Sequence, residues 1–141
     1  MSAADRIRTP LRAMFVVGLL AGAAVLASCG STAEAVIETV SPADADAVLA
    51  DNGDAVLLDI RTPEEYAEAR IGGSENIDFY DAEFAAQLEQ LDPDGTYVVY
   101  CRSDNRSGQA METFRDLGFS EVYEIDGGIV NWYESGYPVE S

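Results

Sequence analysis

Tyr97-Val98-Val99-Tyr100-Cys101-Arg102-Ser103-Asp104-Asn105-Arg106-Ser107-Gly108 sets the architecture of this chain. Its first four residues are a continuous aromatic and β-branched run, fenced off upstream by the turn Asp92-Pro93-Asp94-Gly95, and predict a strand buried on both faces. The run stops at a cysteine. After a short polar loop the pattern turns helical, with Ala110, Phe114 and Leu117 on one face and Gly118 as the stop. A strand that passes into a helix in this way puts the loop at the carboxyl edge of a parallel sheet, where open α/β folds bind ligands. Successive backbone N–H groups can converge there, and the helix dipole adds partial positive charge. Both favour a thiolate. An ordinary cysteine is only about 3% ionised at pH 7, and lowering its pKa by ~2 units, roughly 2.7 kcal/mol, makes it mostly thiolate. Cys101 is therefore the candidate nucleophile.

The rest of the chain fits the same alternation of strand and helix. Val36 to Val40 predicts a first strand, and Ser41-Pro42-Ala43-Asp44 opens a helix to about Ala50 with a capping residue and Pro at the first helical position. Asp51-Asn52-Gly53 is a turn, and Val56 to Ile60 is an apolar run interrupted only by Asp59, the pattern of a buried parallel strand. Thr62-Pro63-Glu64-Glu65 repeats the helix start as a full capping box. Gly72-Gly73 predicts a loop, Asn76 to Asp78 a brief strand, Phe84 to Leu91 a helix, Val122 to Glu124 a last strand, and Asp126-Gly127-Gly128 a turn into a closing helix through Trp132. Strands alternating with helices predict an α/β domain with a mainly parallel sheet.

Composition narrows the chemistry. The chain has 141 residues with 26 Asp or Glu against 8 basic residues, all of them Arg, and a net charge of −18. Such a charge repels phosphate backbones and excludes nucleic-acid binding through a basic patch. His is absent, so the usual general base and the commonest transition-metal ligand are both missing. Two cysteines, Cys29 and Cys101, cannot build a disulfide framework.

The amino-terminal segment reads differently. Arg6, Arg8 and Arg12 precede an apolar run of 14 residues from Ala13 to Leu26, which ends in Leu26-Ala27-Ser28-Cys29. A basic start, a short apolar middle and a small-residue exit are the parts of an export signal. As a helix the run spans about 21 Å, short of a roughly 30 Å hydrocarbon core. Its last four residues resemble the lipobox of bacterial lipoproteins, which implies a signal peptide over 1–28, lipidation of Cys29, a tether over 29–35 and a domain over 36–141. The expected location is extracytoplasmic, held to the cell membrane by lipid. Cutting before Cys29 leaves 5 Arg and 25 acids, or −20 over 113 residues, so acyl chains rather than charge must supply the attachment. Two of those five arginines, Arg102 and Arg106, bracket the loop that follows Cys101, within five residues of it.

The loop Cys101 to Ser107 after Tyr97-Val98-Val99-Tyr100 resembles the active-site loop of single-domain rhodaneses. Three other segments carry the same resemblance: Leu57-Leu58-Asp59-Ile60-Arg61 with Glu65-Tyr66, Arg70-Ile71-Gly72-Gly73-Ser74-Glu75-Asn76-Ile77, and Gly127-Gly128-Ile129 with Trp132. The resemblance runs from about Val36 to Val139. It implies a rhodanese-like, five-stranded parallel sheet flanked by helices, and a sulfurtransferase that moves a sulfane sulfur from thiosulfate or a related donor to a thiol acceptor through a Cys101 persulfide. It places Arg102, Ser103, Asp104, Asn105, Arg106 and Ser107 around a small anionic donor, with backbone amides from Arg102 to Gly108 cradling the persulfide. Asp59 and Arg61 match a supporting strand-end pair, with Arg61 expected on Glu65 or a neighbouring carboxylate, and Trp132 is core or pocket wall. No cofactor and no metal are implied, and a monomer is expected.

Two residues depart from the family pattern. Arg70 stands where the family usually has His, a change expected to touch packing. Asp104 stands where Gly is frequent, and its charge is expected to oppose an anionic donor. The phosphatases and arsenate reductases of the same fold use a Cys-x5-Arg loop, one residue longer, around a tetrahedral oxyanion. Here Arg106 is five residues past Cys101 and Ser107 takes the sixth position, which favours sulfur over phosphate. The competing reading from a different class is a non-enzymatic, membrane-tethered sulfur carrier or partner-binding module.

Overall fold

The computed structural model describes residues 34–141. The expected signal over 1–28, the expected lipidation site Cys29 and most of the expected tether lie outside the described residues. Ten elements follow in order: β1 (Val36–Val40), α1 (Pro42–Asp51), β2 (Val56–Asp59), α2 (Pro63–Glu68), β3 (Glu75–Asn76), α3 (Phe84–Leu88), β4 (Thr96–Tyr100), α4 (Asn105–Asp116), β5 (Glu121–Ile125) and α5 (Gly128–Glu134). The strands form one five-stranded sheet in the order β1-β5-β4-β2-β3, and every pairing is parallel. The expected five-stranded parallel α/β architecture is the one observed.

β4 lies at the centre, between β5 and β2, and all five of its residues are buried. Its period-2 alternation divides it between two cores. Tyr97, Val99 and Cys101 pack with Leu58, Phe114 and Val122 on one face, while Val98 and Tyr100 pack with Leu57, Ile125 and Trp132 on the other. Phe114, the centre of the apolar stripe on α4, is fully buried, so truncation to Ala costs about 3–5 kcal/mol.

Helix starts follow the predicted caps. Ser41 Oγ accepts from the Asp44 backbone N–H at 3.2 Å. At α2 the capping box is complete: Thr62 Oγ1 accepts from the Glu65 N–H and Glu65 Oε2 accepts from the Thr62 N–H. Several boundaries shift. α3 ends at Leu88 rather than Leu91, β2 ends at Asp59 rather than Ile60, and β3 is Glu75–Asn76 rather than Asn76 to Asp78. The chain beyond β2 and β3 still pairs: the Ile60 N–H donates to Tyr100 O at 3.0 Å, and the Ile77 N–H to Asp59 O at 3.0 Å. The predicted residues are thus in place but leave the regular ladder as the edge strand peels away.

Candidate active site

The loop Cys101–Asp104 leaves the central strand at its carboxyl end and enters α4 at Asn105. Two constraints shape it. On the outer side, the N–H groups of Ile129 and Val130 in α5 donate to the carbonyls of Cys101 and Arg102 at 3.0 and 3.3 Å. Gly128 makes that approach possible, since a Cβ there would sit 2.5 Å from Cys101 O and its φ is +57°. On the inner side, the N–H groups of Arg102 to Ser107 find no protein acceptor among the described residues. With the carbonyls drawn to α5, these donors are left for an anion in the loop.

Cys101 itself is 1% exposed and Ser107 is fully buried. Cys101 Sγ lies 3.2 Å from Ser107 Oγ, and Ser107 Oγ donates to Glu124 Oε1 at 2.5 Å. Glu124 is a β5 residue, buried, whose second oxygen accepts from Thr39 Oγ1 of β1 at 2.8 Å. Sequence reasoning passed over Glu124 as the end of a strand. The signal was present, because a period-2 reading puts Glu124 on the same face as buried Val122.

Arg106 is placed differently from expectation. Its guanidinium forms two parallel hydrogen bonds with Glu65 of α2, at 2.6 and 2.8 Å, and lies over the Tyr80 ring at 5.6 Å. These bonds hold the Glu65 carboxyl well below the usual carboxylate range, at about 2, against the opposing effect of burial, and they raise the pKa of Arg106. The side chain expected to receive an anionic donor is thereby committed to a scaffold tie between α2 and α4. A planar fork facing a carboxylate already fixed by its capping box is better satisfied there than in water.

Arg61 finds the expected carboxylate partner in its neighbour Asp59. Arg61 donates to Asp59, not Glu65, through Nε at 2.9 Å and Nη2 at 2.5 Å, and its Nη2 also reaches Ala69 O at 2.6 Å. Burial lowers the Arg61 pKa, but its bonds to Asp59 outweigh this and the net direction is up. Asp59 is fully buried, and Asn76 Nδ2 ties the carbonyls of Asp59 and Arg61. This pair braces the end of β2.

Arg102, Ser103 and Asn105 are exposed. Arg102 lines a groove of about 640 Å³ with Arg61, Ile129, Val130 and Tyr133, and among the described residues it has no carboxylate partner. Asp104 adopts the left-handed region at φ 75°, and its Oδ1 is buried without a hydrogen-bond partner. A residue in that conformation explains why Gly suits the position. Arg70 lies away from the loop residues, over the Tyr66 ring at 5.1 Å and 3.4 Å from Glu140. Trp132 is buried in the second core, with Nε1 donating to Pro138 O at 3.0 Å.

Comparison with known proteins converges on one family. The family model described as rhodanese-like domain matches residues 41–135. The chain is 40% identical over 94 residues to the thiosulfate sulfurtransferase GlpE of Pseudomonas aeruginosa, covering 66% of this chain and 81% of that protein. It is 34% identical over 91 residues to a sulfurtransferase of Allochromatium vinosum, covering 64% and 83%. Among solved structures, a rhodanese-related protein from Thermoplasma volcanium superposes with a TM-score of 0.64 at 32% identity, over 73% of this chain and 97% of the other.

Proposed function

The chain belongs to the rhodanese-like family, and on that footing we propose a cycle in which Cys101 takes the outer sulfur of thiosulfate. The protein is a rhodanese-type sulfurtransferase that works through a catalytic cysteine. Thiolate Sγ attacks the sulfane sulfur, a new S–S bond forms, and the old one breaks with its electron pair leaving on sulfite. The terminal sulfur of the persulfide carries the negative charge into the loop of N–H groups from Arg102 to Ser107. An acceptor thiolate, or cyanide in an assay, then removes that sulfur and regenerates the Cys101 thiolate. Donor and acceptor react in turn, so the kinetics are ping-pong.

The observation that carries this reading is the position of Cys101: the end of the central strand, beneath a loop whose N–H groups have no acceptor among the described residues. Arg102, exposed at the groove, supplies the free cation for an anionic donor, the role that Arg106 cannot fill while bound to Glu65. Steady-state assays with thiosulfate and cyanide test the cycle. Parallel lines in double-reciprocal plots and complete loss of transfer in Cys101→Ser are expected; turnover in Cys101→Ser above background contradicts it.

The membrane attachment is part of the same proposal. Leu26-Ala27-Ser28-Cys29 behind a short apolar run supports an exported lipoprotein whose catalytic domain faces outward from the membrane. Metabolic labelling with a fatty acid should mark the wild type and not Cys29→Ala. Equal labelling of both overturns the anchor and leaves the sulfur chemistry untouched.

A further inference from the structure

Glu124 is a carboxyl group in an expensive place. It is 3% exposed, and its two oxygens accept from hydroxyls, Ser107 Oγ at 2.5 Å and Thr39 Oγ1 at 2.8 Å, with no guanidinium among the described residues donating to it. Of the charged groups of α4 and its loop, Arg106 is bound to Glu65 and Arg115 to the Ile37 carbonyl, Arg102, Glu112 and Asp116 are exposed, and Asp104 has a buried, unpartnered oxygen of its own. β1 brings Thr39, α4 brings Ser107, and the titratable group at the far side of Ser107 is the Cys101 thiol. A buried carboxyl without a cation calls for a reason.

The direction of the hydrogen bonds supplies one. Ser107 spends its single proton on Glu124, so in its contact with Cys101 the hydroxyl can only accept. With Glu124 as a carboxylate, Cys101 is the donor, and the chain reads S–H to O–H to carboxylate. We propose that Ser107 and Glu124 form a proton relay beneath Cys101, which takes up the thiol proton as the sulfur becomes nucleophilic and returns it when the sulfur cargo leaves. The proposal deepens the reading of Cys101 as the sulfur-carrying nucleophile and rests on it.

The step balances without any outside acid or base. The Cys101 proton moves to Ser107 Oγ while the Ser107 proton moves to Glu124 Oε1, converting thiol and carboxylate into thiolate and carboxylic acid. The reoriented Ser107 hydroxyl then donates to the thiolate, and Glu124 donates to Ser107. Attack on thiosulfate gives a persulfide anion and sulfite, with Glu124 still protonated. When an acceptor removes the outer sulfur, the Cys101 thiolate recovers its proton by the reverse path. The site thus holds one negative charge at every stage, and a protein without His gains an internal proton acceptor. Glu124 acts through Ser107 and is a positioning residue in this scheme.

The test reads thiol reactivity without sulfur transfer. In the full-length chain carrying Cys29→Ser, Cys101 is the only thiol, and its alkylation by iodoacetamide is followed against pH. With the relay, the rate changes by less than about threefold between roughly pH 6 and 8, because thiolate forms without losing a proton to water. Glu124→Gln keeps the shape but cannot take a proton, and Ser107→Ala removes the bridge. Each should alkylate at least about tenfold more slowly near pH 6, converge with the parent above about pH 9, and show no further loss when combined. A carboxylate that acted only as a fixed negative charge would have the opposite sign, since its removal would speed alkylation at low pH. A rate at or above the parent near pH 6 in either variant overturns the relay. Should Glu124→Gln fail to fold, Ser107→Ala decides alone. A relay profile in a protein that transfers no sulfur would overturn the sulfurtransferase cycle and leave the relay standing.

Discussion

Arg106 and Ser107 are consecutive residues of α4, and each holds a glutamate, but in opposite settings. At the rim, Arg106 grips Glu65 through two short hydrogen bonds, cation against anion, on a carboxylate that remains 30% exposed. Underneath, Ser107 holds Glu124 through a hydroxyl, in a buried site with Cys101 on the other side. The first pairing neutralises two charges and ties α2 to α4. The second leaves a carboxyl group uncompensated and in proton contact with the nucleophile. A single residue step, about 100° around the helix, therefore separates scaffold from chemistry, and the difference lies in what each carboxylate is given to bind.

The largest effect should come from pressing on the loop that both pairings hold. Gly128→Ala forces a Cβ to within 2.5 Å of Cys101 O at a φ of +57°, and the loop backbone must move. At least about hundredfold loss of kcat/KM is expected, together with about 2–4 kcal/mol lower stability in urea melts. Near-normal activity would mean that the loop tolerates displacement.

Arg106→Ala breaks the rim without touching the sulfur. Stability should fall by about 1–3 kcal/mol, and activity by less than in Gly128→Ala. The pH dependence separates the two glutamates further. Glu65 is held at about 2 in the folded chain, against 4.5 ordinarily. A depressed carboxyl contributes stability that is fully present above its unfolded pKa and is lost as pH falls through its folded one. Acid unfolding should therefore steepen between about 4.5 and about 2 in the wild type. Glu65→Gln should flatten that window, and an unchanged acid limb would remove the tie from the account.

The smallest effect concerns Asp104, in the left-handed conformation on the loop. Removing its charge in Asp104→Asn should raise kcat/KM for thiosulfate several-fold at low salt, with the gain shrinking near 0.1 M, where screening acts over about 10 Å. Asp104→Gly should add about 1 kcal/mol of stability by relieving the positive φ. A slower Asp104→Asn would mean that the carboxylate supports the loop rather than opposing the donor.

Local patterns made much of this legible. Thr62 and Glu65 announce their capping box within four residues, and the run from Tyr97 to Tyr100 followed by Cys101 marks the central strand and its loop. What stayed hidden depends on distance along the chain. Glu65 and Arg106 are 41 residues apart, and Glu124 meets Ser107 only because β5 pairs with β4 and packs under α4. For Arg61 the sequence leaves Glu65 and the neighbouring carboxylates open, and the fold selects Asp59, two residues away and buried. Opposite charges in a sequence show that pairs exist, and the packed strands choose which.

The central claim, that Cys101 carries sulfur as a persulfide, is tested most directly by intact mass after treatment with thiosulfate. The account predicts a gain of about 32 Da, one sulfur atom, confined to Cys101, absent from Cys101→Ser, and removed by an acceptor thiol. No gain, or a gain that acceptor thiols fail to remove, would contradict it.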